Sequence, residues 1–560
     1  MSKQTVSFLE LFKQKKYSLI ISIIDEKIPE NQRTAGLYNL KGVCRLMLNK
    51  SNESIKLAIE DFRKSYFKEK NKSKSIDSIK NLINASVIYF DNEFTKNTNA
   101  LSDKFFEEIN LIYEKNKELF ENNLDLMKSI IKVFKRTSDL ENIIEYLKKI
   151  IHFDPDPDAI ASYIFFNNYL YNWSQSDYLE NAKTLNNKLI KYSSNELVDL
   201  KKSKNSKINL GFVSSDIRSK HSVTYFLRSV VSNYDNTKFQ IYLYHNHNVE
   251  DDTTIEFQKY VFKTSRISKL NDKEVINLIR NDKIDIIIDL NGFSSNHRLV
   301  LFKNRLAPIQ ISWCGYPNTT GLDEMDYLIA DKNLIKPVDE KYYSEKIIYL
   351  SKIWNCHNGY DNKRVFNSAP SIKKKFITFG SFNNFRKIND DVIEVWSMIL
   401  KKVKNSKLIL KTSSAVSQEL YEKKFKKYDI LSSIIFLNYN KNFDDHLSQY
   451  KKIDIALDTF PYNGVTTSFE AIWMGVPVIT MQGYNLNSRC GESININAQF
   501  ASLIAQDKED YIKKAISLAQ DEKDLTKIRK NIYENALKTP LFDKKKFSDE
   551  FFSNLEKIYN

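Results

Sequence analysis

Near residue 205 the hydrophobic pattern of this 560-residue chain changes period, and that change governs which folds are open to it. Before it, apolar residues recur at helical spacings, as at Leu140, Ile143, Ile144, Leu147 and Ile151. That run stops at Asp154-Pro155-Asp156-Pro157, because proline cannot continue a helix. After residue 205, short β-rich runs alternate with helical stretches, the pattern of parallel α/β sheets. The predicted strands are Lys207–Val213, Phe239–Tyr244, Ile284–Leu290, Ile309–Trp313, Tyr327–Ala330 and Ile347–Leu350. A second set comprises Phe376–Phe382, Lys407–Lys411, Ile434–Leu437, Ile453–Asp458 and Pro477–Met481. The polar stretch Trp354–Lys375 separates the sets and reads as a linker. The expected organisation is a helical region over 1–205, a Rossmann-like domain over 206–365 and a second over 366–560. Two such domains create a ligand cleft, since ligands settle at the carboxyl ends of parallel strands.

The helical region contains one segment that resembles a tetratricopeptide unit. Leu37-Tyr38-Asn39-Leu40-Lys41-Gly42 places a small residue where two helices cross, and Ala58-x3-Phe62-x2-Ser65 resembles the second helix. Ile143–Pro155 resembles the end of another unit. The alternative is an irregular helical bundle.

Composition narrows the function classes. A net charge of +15 raises the question of nucleic acid, yet the lysines are spread along the whole chain among 70 acidic residues. Direct nucleic-acid binding is therefore not expected, while affinity for phosphates stays open. Cys44, Cys314, Cys356 and Cys490 stand far apart with no CxxC, which argues against a disulfide framework or a zinc site. No apolar run approaches the roughly 20 residues that span a bilayer. The first residues lack a signal-peptide layout, so a cytoplasmic protein without membrane insertion is expected.

Four segments carry candidate chemistry. In Ile455–Pro477 a hydrophobic strand ends in Asp458-Thr459, an Asn463-Gly464 turn follows, and Thr466-Thr467-Ser468 opens a helix. Free N–H groups and the dipole at a helix start suit a diphosphate. Gly464 permits close backbone approach, and Glu470 lies one turn inside, where it can accept from ribose hydroxyls. The plain alternative is an ordinary capped helix. In Gly380–Asp390, Lys387 follows a strand end and is placed to neutralise a leaving diphosphate; a solvated lysine is the alternative. Ser214–Thr224 puts His221 at a strand-end rim as a base or sugar contact. Ala307–Gly321 leads a strand into a Gly/Pro/Asn loop, read as a sugar-contacting loop or simply a turn.

Taken in order, these segments resemble the catalytic half of protein O-GlcNAc transferases and their SPINDLY-type relatives, from about residue 207 to 520. The resemblance runs through Val213–Asp216, His221-Ser222-Val223, Asp289-Leu290-Asn291-Gly292, Ala307–Gly321, Phe382-Asn383-Asn384 and Asp458–Thr480. It implies a GT-B fold of two Rossmann-like domains behind a shortened tetratricopeptide-like region. It also implies inverting transfer of a sugar, most simply GlcNAc from UDP-GlcNAc, to Ser or Thr of a protein acceptor. By the same resemblance Lys387 stabilises the leaving diphosphate, and Asn384 and the Thr466/Thr467 pair contact the donor. Glu470 is a ribose contact and His446 a nucleotide-site histidine. His221 lies near sugar and acceptor, and Gly315 and Tyr462 lie beside the sugar. His221 or Asp289 assists deprotonation of the acceptor. Asn463 and Gly464 belong to the nucleotide-sugar site as the turn before the threonines.

This sequence departs from the family pattern at three points. Asp216 and His221 are one residue further apart, Val465 replaces a histidine of animal enzymes, and Tyr462 replaces a smaller residue, as also in SPINDLY-type members, some of which use GDP-fucose. GDP-fucose is thus the alternative donor, and a decayed helical-repeat scaffold the alternative class. No DxD metal motif is expected, because Asp154-Pro155-Asp156 reads as a turn. A metal-free, cofactor-free enzyme must offset leaving-group charge with preorganised donors.

Overall fold

A computed structural model of the chain describes residues 7–94, 100–189, 200, 202, 206–219, 221–360, 364–412, 415–438 and 442–560. The chain divides into two compact units, one of Met1–Asp154 with Thr412–Lys423 and one of Pro155–Lys411 with Lys424–Asn560. The first break therefore falls at Asp154, well before the change of hydrophobic period at residue 205.

The first unit is helical. Helices Ala35–Leu48 and Asn52–Lys68 form the expected pair. A Cβ on Gly42 would stand 2.6 Å from the Phe62 ring, so only glycine admits this crossing. Ala58, Phe62 and Ser65 are fully buried, and the Ser65 hydroxyl donates to Ala35 O at 2.8 Å. Helix Leu140–Phe153 buries Leu140, Ile143, Tyr146, Leu147 and Ile150. This stripe differs from the predicted one, because Tyr146 joins an aromatic cluster with Tyr113 and Phe134, at 6.0 and 5.7 Å between ring centroids.

The second unit holds two parallel sheets. Strands β1 (Ile208–Ser214), β2 (Phe239–His245), β3 (Lys263–Arg266), β4 (Ile286–Asp289), β5 (Ile309–Ser312), β6 (Tyr327–Asp331) and β7 (Lys346–Leu350) lie in the order β3-β2-β1-β4-β5-β6-β7. Strands β8 (Thr378–Ser381), β9 (Lys407–Thr412), β10 (Ile434–Asn438), β11 (Ile455–Leu457), β12 (Val478–Met481) and β13 (Ile504–Ala505) lie in the order β10-β9-β8-β11-β12-β13. Both β1 and β8 sit inside their sheets, so the strand order reverses beside them, where doubly wound sheets bind ligands. The central strands are buried on both faces, as in Ile286-Ile287-Ile288, which explains their continuous apolar runs.

Two helical segments differ from expectation. Pro157–Asn167 and Gln175–Leu189 belong to this unit and not to the N-terminal one. Asp156 caps the first and Pro157 occupies its first turn, so the Asp-Pro pairs end one helix and start the next. The Asn389 amide donates to Tyr169 O at 3.1 Å and the Asn487 amide to Asn168 O at 2.8 Å, while Asn318 donates to Asn168 Oδ1 at 3.1 Å. This segment thus touches both sheet-bearing lobes. The last helix, Lys544–Tyr559, returns to the first lobe, where Phe551 packs on Trp313 at 4.8 Å and Phe552 on Phe239 at 4.7 Å.

Candidate active site

Turns that follow β1, β5, β8 and β11 line one cavity of about 430 Å³. Its wall includes Asp216 and His221 after β1, Gly315 and Tyr316 after β5, Asn384 and Lys387 after β8, and Tyr462, Thr466 and Thr467 after β11. Phe165 and Tyr169 complete it from the preceding helical segment.

Lys387 closes a short 3-10 turn, Phe385–Lys387, whose cap is Asn384. Its ammonium donates to Asn463 O at 2.7 Å and stands 4.2 Å from the centroid of the Tyr462 ring. Burial lowers its pKa to about 8, partly offset by the Asp458 carboxylate, so it remains largely protonated at neutral pH. The Tyr462 ring is itself fixed by stacking on Tyr169, with 4.7 Å between centroids and 20° between planes.

Asp458 organises the loop that holds Lys387. It accepts from Gly464 N at 2.6 Å, Thr459 N at 2.9 Å and the Thr480 hydroxyl at 2.8 Å, and burial pushes its pKa up to about 6. Asn463 donates to Thr459 O at 2.8 Å and accepts from Gly491 N at 3.0 Å. Thr467 donates to Asn383 Oδ1 at 2.9 Å. A Cβ on Gly464 would meet Thr467 Oγ1 at 2.4 Å, so glycine is required for the loop to fold against the helix start. No side chain caps helix Thr466–Trp473, and its first two residues, Thr466 and Thr467, line the cavity, where an uncapped helix start suits an anion.

Glu470 and His446 are bonded to each other in a cluster of their own. Glu470 is buried and accepts from the Tyr450 hydroxyl at 2.8 Å, with His446 Nε2 at 2.9 Å from the same oxygen. His446 Nδ1 meets the Lys411 ammonium, whose pKa burial lowers to about 8. These residues form a polar cluster that includes Glu470 of the threonine helix itself, and they are not among the residues that line the cavity.

Across the cavity, His221 caps helix Ser222–Val231, accepting from Val223 N at Nδ1, 3.4 Å away. Its Nε2 lies 3.4 Å from Asp216 Oδ1, and burial lowers its pKa. Asp289 is also off the wall. Its carboxylate accepts from Gly292 N at 2.6 Å and Asn291 N at 3.2 Å, and burial raises its pKa to about 6. It holds the turn after β4, which in turn lets the Asn291 amide donate to Asp216 Oδ2 at 2.7 Å. A Cβ on Gly315 would lie 1.7 Å from Leu290 O, so this loop packs directly on that turn only as glycine.

Lys387, His221, Asn384, Gly315, Tyr462, Thr466 and Thr467 thus converge on one cavity, with Asn463 and Gly464 supporting its wall. The sequence reading missed Tyr169 and Asp458 as supports and Asp216 as a wall residue. Asp216 had a readable signal in its place two residues beyond a strand; Tyr169 had none. Among the described residues no group of three or more His, Cys, Asp or Glu is arranged to hold a metal ion, and no helix is long and apolar enough to cross a membrane.

Comparison with known proteins places this geometry in context. The model of glycosyl transferase family 41 matches residues 176–367 and 367–551. A Hordeum vulgare protein named "Probable UDP-N-acetylglucosamine--peptide N-acetylglucosaminyltransferase SPINDLY" is 34% identical over 363 residues, 62% of this chain and 37% of that protein. The Arabidopsis thaliana protein of the same name is 31% identical over 369 residues, 63% of this chain and 40% of its own length. The matched region is therefore well under half of these relatives. A solved O-GlcNAc transferase variant from Thermobaculum terrenum superposes with a TM-score of 0.81 at 22% identity, covering 94% of this chain and 98% of that one. The two share a fold.

Proposed function

The chain belongs to glycosyl transferase family 41, and we propose that it transfers a sugar with inversion from a nucleoside-diphosphate donor, most simply UDP-GlcNAc, to a Ser or Thr hydroxyl of a protein. The observation that carries this reading is Lys387. It is a cation on the cavity wall, held by a neutral carbonyl and an aromatic face, beside the uncapped helix start at Thr466 and Thr467. Among the described residues no carboxylate lies within ion-pair distance of its ammonium, so its charge is available to a diphosphate. Fixed donors of this kind stabilise the charge that develops as the diphosphate leaves, without reorganising during the reaction. The names of the plant relatives, which specify a UDP-sugar and a peptide, agree with this chemistry. Asn384 and the first-turn N–H groups complete the diphosphate site, and the Gly315 loop and Tyr462 bound the sugar.

Thermal shift and donor hydrolysis against UDP-GlcNAc, UDP-glucose, UDP-galactose and GDP-fucose, with Lys387→Ala alongside, test the proposal. Stabilisation by one donor with Lys387-dependent turnover supports it and names the sugar. No stabilisation by any donor leaves a helical scaffold with an inactive catalytic half.

A further inference from the structure

The transfer needs a base for the acceptor hydroxyl, and the hydrogen bonds around His221 restrict which group can serve. Nδ1 accepts the Val223 N–H as the cap of helix Ser222–Val231. In a neutral imidazole the proton then sits on Nε2. Burial disfavours the imidazolium, so neutral is the resting form. Nε2 stands 3.4 Å from Asp216 Oδ1, within ion-pair distance but without hydrogen-bond geometry. In this tautomer His221 is a donor on its cavity side. To take a proton it would have to give up the helix cap at Nδ1.

Asp289 is no substitute, because the turn N–H groups of Asn291 and Gly292 occupy its oxygens and it lies off the cavity wall. Asp216 is on the wall. Its Oδ2 accepts from the Asn291 amide at 2.7 Å, and its backbone is fixed by Ser214, whose hydroxyl accepts from Asp216 N at 3.0 Å. The charged and titratable groups that face it are His221, Arg218 with Nη2 at 3.9 Å, the Cys314 thiol and the Asp289 carboxylate.

We propose that Asp216 takes the proton of the acceptor hydroxyl and that His221, whose Nε2 stands 3.4 Å from Oδ1, positions the Asp216 carboxylate. The inference rests on the reading above that the acceptor is a hydroxyl. The hydroxyl O–H bond breaks and its proton passes to Asp216 Oδ1. The oxygen forms the new bond to the anomeric carbon, and the sugar–phosphate bond breaks with its electron pair leaving on the diphosphate. Asp216 then returns the proton to solvent after product release.

The test uses the full chain, the donor that wild type turns over in the panel above, and a library of serine- and threonine-containing peptides. The transfer rate at saturating donor and the donor affinity are measured for wild type, Asp216→Asn and His221→Asn. Asparagine at 221 keeps a good helix cap. The expected result is a fall in kcat of about 10²–10³-fold in Asp216→Asn with donor Kd within about twofold, the range for loss of a general base. His221→Asn loses about tenfold or less in kcat, again with donor Kd within about twofold. Retention of the wild-type rate within about threefold in Asp216→Asn overturns the assignment. So does a fall in kcat of about 10²-fold or more in His221→Asn, and that variant decides the matter alone if Asp216→Asn does not fold. Failure of wild type to transfer to any peptide counts instead against the functional reading.

Discussion

Lys387 rests on Tyr462: its Nζ lies 4.2 Å from the ring centroid and 2.7 Å from the carbonyl of the adjoining Asn463. An aromatic face and a carbonyl attract an ammonium without cancelling its charge. The side chain is thus fixed in place while its full positive charge remains for the donor. A carboxylate partner would have fixed it equally well and neutralised it. Lys387→Ala should therefore lower kcat by about 10²–10³-fold, as for loss of a preorganised charge partner. Donor Kd, read by titration, should change less than kcat does. Equal losses in both would mean that the lysine binds ground state and transition state alike.

The lowered pKa of Lys387 sets an alkaline limit. Below about pH 8 the ammonium is present and attracts the diphosphate; above it the neutral amine does not. In the free enzyme kcat/KM should fall as pH rises through about 8. In the donor complex the diphosphate favours the charged form, so kcat should hold to higher pH. Coincident limbs in the two profiles would contradict this.

Tyr169 lies outside both sheets yet stacks on the ring beneath Lys387. Tyr169→Ala should raise donor KM and lower stability, by about 3–5 kcal/mol for a truncated buried aromatic. Denaturant unfolding and steady-state kinetics read the two effects separately. Tyr169→Phe keeps the stack and should approach wild type in both.

Glu470 accepts from Tyr450 and His446 in a buried cluster. Glu470→Ala should destabilise the donor-free protein, because each partner left unpaired costs about 1–3 kcal/mol. A lower melting temperature without nucleotide identifies a supporting role. An unchanged melting temperature with lost donor affinity would make Glu470 a direct ligand.

Gly315 has no room for a methyl group, given Leu290 O at 1.7 Å from its Cβ position. Gly315→Ala should push the loop into the cavity and cost about 1–3 kcal/mol. Transfer should fall with it, whereas Gly36→Ala, where an added Cβ meets only Thr34 Oγ1 at 3.9 Å, should leave transfer unchanged.

The two sheets were legible in the sequence because their central strands are buried on both faces and read as unbroken apolar runs. Strands β3 and β13 were not. Lys263-Thr264-Ser265-Arg266 is a polar edge strand, and Ile504-Ala505 is only two residues long. The place of Lys387, Thr466 and Thr467 on a cavity wall was legible because ligand clefts form at the strand-end turns of such sheets. The helical segment 157–189 was misplaced because helical period says nothing about which neighbour a helix packs against. The partners of Glu470 and Asp289 were hidden for a related reason. A carboxylate in a motif looks the same whether it faces a ligand or a backbone turn, and only the fold brings Tyr450 to one and Gly292 to the other.

The return of helix Lys544–Tyr559 to the first lobe means that the chain crosses between lobes twice. The crossings run side by side, since His357 N donates to Leu541 O at 2.8 Å. Two adjacent crossings joined in this way act as a single tie. The segment around Asn168 and Tyr169 is a second one, bonded to Asn318 of one lobe and to Asn389 and Asn487 of the other. Asp216 and Lys387 thus face one cavity whose two walls are fastened together at both places.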